Sequence, residues 1–123
     1  MRMYLINVKE NTAGEVQAET LQDYYKHIEC TCVDIVQRKI GRKRYEIICD
    51  DEGLFEESPK ISAINNMGEP MLVGNLLIAG LADGEGNLTP LTEEDVKYIE
   101  KYVITMCTRN FPQGYMMLTQ CEF

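Results

Sequence analysis

The sequence predicts an α+β fold: a mostly antiparallel, curved sheet of roughly five or six strands with one short and one longer helix packed on it. Three observations carry this expectation. Short β-branched runs are punctuated by Gly, Asn and Asp at hairpin intervals. Two stretches, 20–28 and 92–107, instead repeat apolar residues at helical spacing. The length of 123 residues, 45% of them hydrophobic, suffices for one core without covalent staples. With no internal repeat or linker, 1–123 reads as a single domain.

The chain opens with YLINV (4–8) and EVQAE (15–19) around a polar segment whose Asn11 and Gly14 suit a turn, giving a β-hairpin. TLQDYYKHI (20–28) then places Leu21, Tyr24, Tyr25 and Ile28 on one helical stripe, with Thr20 as N-cap. CTCVDIVQRKI (30–40) and Arg44 to Cys49 form a second hairpin reversed at Gly41. DDEG (50–53) ends it as a turn, and 54–69 is irregular, broken by Pro59 and NNMG (65–68). Pro70 to Gly80 is an apolar strand interrupted at Gly74 and Asn75, which signals a bulge or close backbone approach. After the turn DGEGN (83–87), TEEDVKYIEKYVITMC (92–107) aligns Val96, Ile99, Val103 and Met106 at helical spacing behind a Thr92/Asp95 capping box. NFPQG (110–114) stops that helix, and YMMLTQCEF (115–123) returns as a strand.

Acidic residues outnumber basic ones 20 to 12, for a net charge of −8, which disfavours generic nucleic-acid binding. No apolar run approaches the roughly 20 residues needed to span a bilayer, so no membrane association is expected. Five scattered cysteines and a start without an apolar leader segment point to reduced thiols in the cytoplasm.

His27, Cys30, Cys32 and Cys49 are the metal candidates, because imidazole and thiolate suit zinc; a CxC pair in a strand serves equally as a buried apolar surface. A nucleophilic cysteine would need a base, and the chain holds one histidine, His27, next to Cys30. Asp50, Asp51, Glu52, Glu56 and Glu57 carry oxygen ligands for a hard cation, but their spacing suits a solvated turn. No hydrolase, P-loop, zincin or dinucleotide motif occurs, so neither a catalytic residue nor a cofactor is expected. Arg38, Lys39, Arg42, Lys43 and Arg44 concentrate positive charge at a hairpin tip. That tip, represented by Arg42, Lys43 and Arg44, and the irregular link, represented by Glu56, Glu57, Asn65 and Asn66, are the expected partner-binding regions.

CDDEGL (49–54), Pro59 and GEPMLVGNLLIAG (68–80), preceded by LQDYYKHIECTCVDIV (21–36), resemble the small bacterial and phage family called domain of unknown function 3846. The resemblance runs from about Tyr4 to Pro90, leaving 91–123 as an extension. Lys26 and His27 stand where the family often has a Gly-Gly pair, and Ile61 where it has asparagine. The family is carried by phages, plasmids and conjugative elements and has no established activity. The resemblance implies an accessory role in a mobile element, and the surface charge and lack of catalytic motifs agree with a non-enzymatic protein that binds another, unidentified protein. An acidic DNA mimic that blocks a nuclease or restriction enzyme, and a small metal protein using His27 and the cysteines, are the alternatives.

Overall fold

The computed structural model describes residues 1–52 and 59–123. Its fold is α+β and mostly antiparallel, as expected. The strands, however, divide between two sheets. In the larger one, the order is β10 (Cys121–Glu122), β3 (Val33–Ile40), β4 (Lys43–Asp50), β7 (Leu76–Ala79), β1 (Arg2–Asn7) and β2 (Thr12–Gln17). The smaller sheet orders β6 (Pro70–Val73), β5 (Ile61–Ile64), β9 (Tyr115–Leu118) and β8 (Val103–Met106). Among the described residues, only the β5–β9 pairing is parallel.

The first hairpin forms with Asn11 at φ 56° in its turn, but Gly14, also expected in the turn, lies within β2 opposite Leu5 because pairing begins at Thr12. Helix α1 (Leu21–Ile28) starts at Thr20, whose hydroxyl accepts from the Asp23 N–H while the Asp23 carboxylate accepts from the Thr20 N–H. Its amphipathic face buries Tyr24 and Ile28 against the larger sheet, together with Met3, Ile48 and Leu77. The opposite face of that sheet packs on the smaller sheet through Tyr4, Ile6, Ile47 and Ile78. β4 and β7 are thus buried on both faces, which explains why LLIA reads as a continuous apolar run without alternation. Each fully buried Ile or Leu there contributes roughly 1.5–3 kcal/mol from removal of its surface from water.

Three further sequence-based expectations need correction. The helix expected over 92–107 is α2 (Glu93–Glu100), and each helix spans eight residues. The capping box of Thr92 and Asp95 forms, and Val96 and Ile99 are buried. Beyond it, the Thr119 N–H and hydroxyl both donate to the Tyr102 carbonyl, at 2.7 and 2.8 Å, and the β-branched run at 103–105 joins β9 as a strand. Tertiary pairing overrides a three-residue apolar spacing that fits either structure. Second, the irregular link contains β5, whose Ser62 is the extra residue of a bulge opposite the step from Val73 to Leu72. Third, the break at Gly74 and Asn75 is a change of sheet: β6 lies in the small sheet and β7 in the large one. Gly74 permits this at φ 76°, its N–H held by the Lys60 carbonyl.

Asn75 is the hub of that crossover. Only 1% exposed, it accepts from the Val8 N–H through Oδ1 at 3.0 Å and donates through Nδ2 to the His27 carbonyl and the Glu29 carboxylate. Asn7 also donates to Glu29, at 3.4 Å. The end of β1, the end of α1 and the sheet crossover are therefore tied by one amide side chain.

Candidate functional site

A concavity opens where the two sheets splay apart beside β3 and β6. It is a cleft of about 330 Å³ lined by Asp34, Val36, Cys49, Asp50, Asp51 and the four residues of β6. Alternation along β3 sends Asp34 and Val36 to the face that meets the small sheet, and Val36 packs against the inter-sheet core together with Met71 and Leu72. The floor is apolar. The mouth carries three carboxylates, those of Asp34, Asp50 and Asp51, because β4 ends in the acidic turn directly opposite Asp34 and Val33.

Among the described residues, both strands bordering this cleft are sheet edges. β6 ends the small sheet, and β10 covers only Lys39 and Ile40 of β3, so its residues 33–38 have no outer strand partner among the described residues. Local side chains screen this edge. The Ile35 N–H donates to the Asp34 carboxylate at 2.9 Å, and the Arg38 guanidinium donates to the Gln37 carbonyl at 2.9 Å. Such caps are how exposed edges avoid indiscriminate pairing.

The expected metal residues lie apart in function. His27 Nε2 is 3.2 Å from the Gln17 carbonyl, with its side chain turned to the first hairpin. Cys30 and Cys32 precede β3, so they do not share a strand face: Cys30 packs on the α1 cluster, whereas Cys32 is exposed and its thiol donates to Asp51 at 3.7 Å. Cys49 is buried in the inter-sheet core. Among the described residues, no three His, Cys, Asp or Glu side chains form a group able to hold a metal ion. Glu56 and Glu57 lie outside the described residues.

Cys30, Cys32, Cys49 and Cys121 are poorly set up as nucleophiles. Burial pushes Cys49 and Cys121 up to about 11. Burial also raises Cys30, and at Cys32 desolvation and the Asp51 carboxylate act in the same direction, away from the electropositive setting that a reactive thiolate requires. Alkylation of the folded protein at neutral pH is expected to modify exposed Cys107 before exposed Cys32, and to spare Cys49 and Cys121 until denaturant is added. Peptide mass mapping checks this; early modification of Cys49 would contradict its burial.

The basic hairpin tip keeps Arg42, Lys43 and Arg44 exposed while its backbone and two of these side chains are anchored to the fold. The Arg42 N–H donates to the Tyr98 hydroxyl at 2.7 Å, and that hydroxyl donates in turn to the Ile40 carbonyl at 2.9 Å. Lys43 lies 4.8 Å from the Tyr98 ring centroid and 4.0 Å from Asp95, while Arg44 donates to the Phe123 carbonyl at 2.8 Å. Partial burial pushes the Asp95 carboxyl up, but donation from Thr92 and Tyr45 and the Lys43 charge outweigh it and hold it below its usual range. Tyr45, Tyr98 and Tyr102 form a ring ladder along α2, with centroids 6.4 and 5.3 Å apart. These tyrosines therefore serve the packing of the hairpin on the helix.

Asn65 has a turn-forming role. Its Oδ1 accepts from the Met67 and Glu69 N–H groups and its Nδ2 donates to the Glu69 carboxylate, closing the β5–β6 hairpin. The Asn66 N–H donates to the Glu122 carboxylate at 2.9 Å, which joins that hairpin to β10. The side chain of Met67, 78% exposed, stands at its tip.

Two further concavities lie among the described residues. One, of about 350 Å³, surrounds Lys60, whose ammonium donates to the Val8 carbonyl and lies over the Phe111 and Tyr115 rings. The other, of about 390 Å³, is a shallow opening beside Lys43 and Gly80.

The splayed cleft brings together residues that the sequence reading did not group. Asp50 and Asp51 stand out as an acidic run, but Asp34, Val36 and Met71 to Val73 belong to it only through topology. The available signal was Asp34 alone, a carboxylate inside a β-branched strand and two residues from Val36 on the same face.

No helix among the described residues is long and apolar enough to cross a membrane. Comparison with curated proteins and with solved structures finds no match. The sequence profile of the family described as "Domain of unknown function (DUF3846)" matches residues 1–104, a segment that holds the cleft, both helices and most of the larger sheet, and the chain belongs to that family.

Proposed function

We infer that this is a non-enzymatic accessory protein that acts by binding another protein at the splayed cleft, in the service of a mobile genetic element. The observation supporting the binding role is the cleft itself: an apolar floor, a rim of three carboxylates, and two sheet edges on its borders. Convergent apolar surface with a few placed polar groups is the usual makeup of a binding site. The raised thiols of Cys30, Cys32, Cys49 and Cys121 give no support to a nucleophilic role. The association with mobile elements rests on the family resemblance alone.

The test is affinity capture from the native host at physiological salt, run in parallel with the wild type, Val73→Lys in the cleft, and Lys26→Glu on α1. A protein retained by the wild type and by Lys26→Glu but lost with Val73→Lys is the expected result. Identical retention by all three proteins overturns the assignment of the cleft, and retention of nucleic acid in place of protein overturns the reading as a whole.

A further inference from the structure

We propose that the cleft takes an extended peptide segment of its partner in which Lys or Arg alternates with aliphatic residues, added as a strand along the outer edge of β3. The proposal rests on the protein-binding reading above and specifies the chemistry of its partner.

The backbone provides the first argument. Ile35 and Gln37 direct their N–H and C=O groups away from β4, since the Ile35 N–H is taken up by Asp34 and the Gln37 carbonyl by Arg38. These are short-range caps from neighbouring side chains, and an incoming strand can replace them without unfolding any element. β10 already pairs with this same edge at Lys39 and Ile40, so a segment continuing past β10 along residues 33–38 extends an existing ladder. Strand addition of this kind draws affinity from main-chain bonds and specificity from alternate side chains.

Charge and shape provide the second argument. In an added strand every other side chain faces the cleft. There it meets Val36 and Met71 at the floor and Asp34, Asp50 and Asp51 at the mouth. At about 330 Å³ the cleft is near the lower end of the roughly 300–1,000 Å³ typical of ligand sites, which suits one or two aliphatic side chains rather than a helix face. The three carboxylates favour a cationic side chain at the rim and repel an acidic one, and the net charge of −8 steers basic segments toward the protein. Helical segments do not fit, because a helix satisfies its own backbone groups and leaves the edge unpaired.

The experiment is selection from a random-peptide display library against the wild-type protein, with amide NMR on the selected peptides. Expected is enrichment of Lys or Arg alternating with Val, Ile or Leu, depletion of Pro, and shifts concentrated at the Ile35 and Gln37 amides. The triple variant Asp34→Asn, Asp50→Asn, Asp51→Asn keeps the side-chain acceptors of the turn but removes the charge, and is expected to weaken binding about tenfold, the combined effect of a few exposed charge pairs. Enrichment of acidic, proline-rich or amphipathic helical sequences overturns the proposal, as does an absence of enrichment, or shifts located away from β3. If capture from the host yields a partner that depends on Val73 while the library shows no basic alternating pattern, strand addition fails and the protein-binding reading stands. If capture shows no dependence on the cleft, that reading fails first.

Discussion

Asn75→Ala is expected to destabilise the protein by about 3 kcal/mol, since it orphans the buried Val8 N–H and removes the donors to the His27 carbonyl and Glu29. Val8 is 1% exposed, so water cannot take the place of the lost acceptor. Denaturant midpoints of the variant and wild type measure the loss. Asn75→Asp separates the two halves of the role. It keeps an acceptor for Val8 but sets a second carboxylate against Glu29, so it should be weak at neutral pH and partly recovered as the pH falls into the carboxylate range. A change below about 0.5 kcal/mol for alanine, the size of an ordinary surface substitution, would show that the crossover does not depend on this amide.

Gly41→Ala is the other substitution with a large expected effect, again about 3 kcal/mol, and it acts on the opposite end of the sheet. Gly41 sits at φ 63° in the two-residue turn between β3 and β4. A Cβ there would stand 2.5 Å from the Tyr98 hydroxyl and 2.6 Å from that of Tyr102, within the ring ladder. Tyr98 cannot swing aside cheaply, because its hydroxyl bridges the Arg42 N–H and the Ile40 carbonyl. Gly86→Ala is the control for backbone strain alone: its φ is 85°, but no atom lies within 4 Å of the added Cβ. Its cost should be only about 1 kcal/mol. Equal losses at the two positions, read from thermal or denaturant unfolding, would remove the tyrosine contact from the account.

The local elements were readable because their signals are local. Thr20 with Asp23 and Thr92 with Asp95 form the reciprocal bonds their spacing announces, and Gly41 and Asn11 turn the two hairpins as their conformational preferences suggest. What escaped was decided between distant segments. The run from Val103 to Met106 has an apolar spacing that a helix shares, and only the presence of Tyr115 to Leu118 alongside makes it a strand. Ile61 to Ile64 lacks clean alternation because of its bulge at Ser62, so no period marks it. Gly74 and Asn75 were recognisable as a break, yet a break within a sheet and a passage between sheets use the same residue types. The cleft follows the same logic. Its aspartates come from β3 and the end of β4 and its floor from β6, and nothing in the linear order joins Asp34 to Met71.

The crossover at Asn75 has a counterpart near the other end of the chain, where β9 in the small sheet passes through Gln120, at φ 55°, into β10 on the edge of the large one. β9 also lies inside the small sheet, between β5 and β8, so residues 115–118 are needed before 61–64 and 103–106 share a neighbour. Neither layer is therefore complete without residues 115–122. Pairings this distant in sequence carry a loop-closure cost before they return any stabilisation, so folding is slow relative to a helical protein of this length. Residues 115–122 lie beyond the family match at 1–104, so the strand that joins β5 to β8 and the strand that covers the end of β3 both come from the part of the chain that its family profile does not describe.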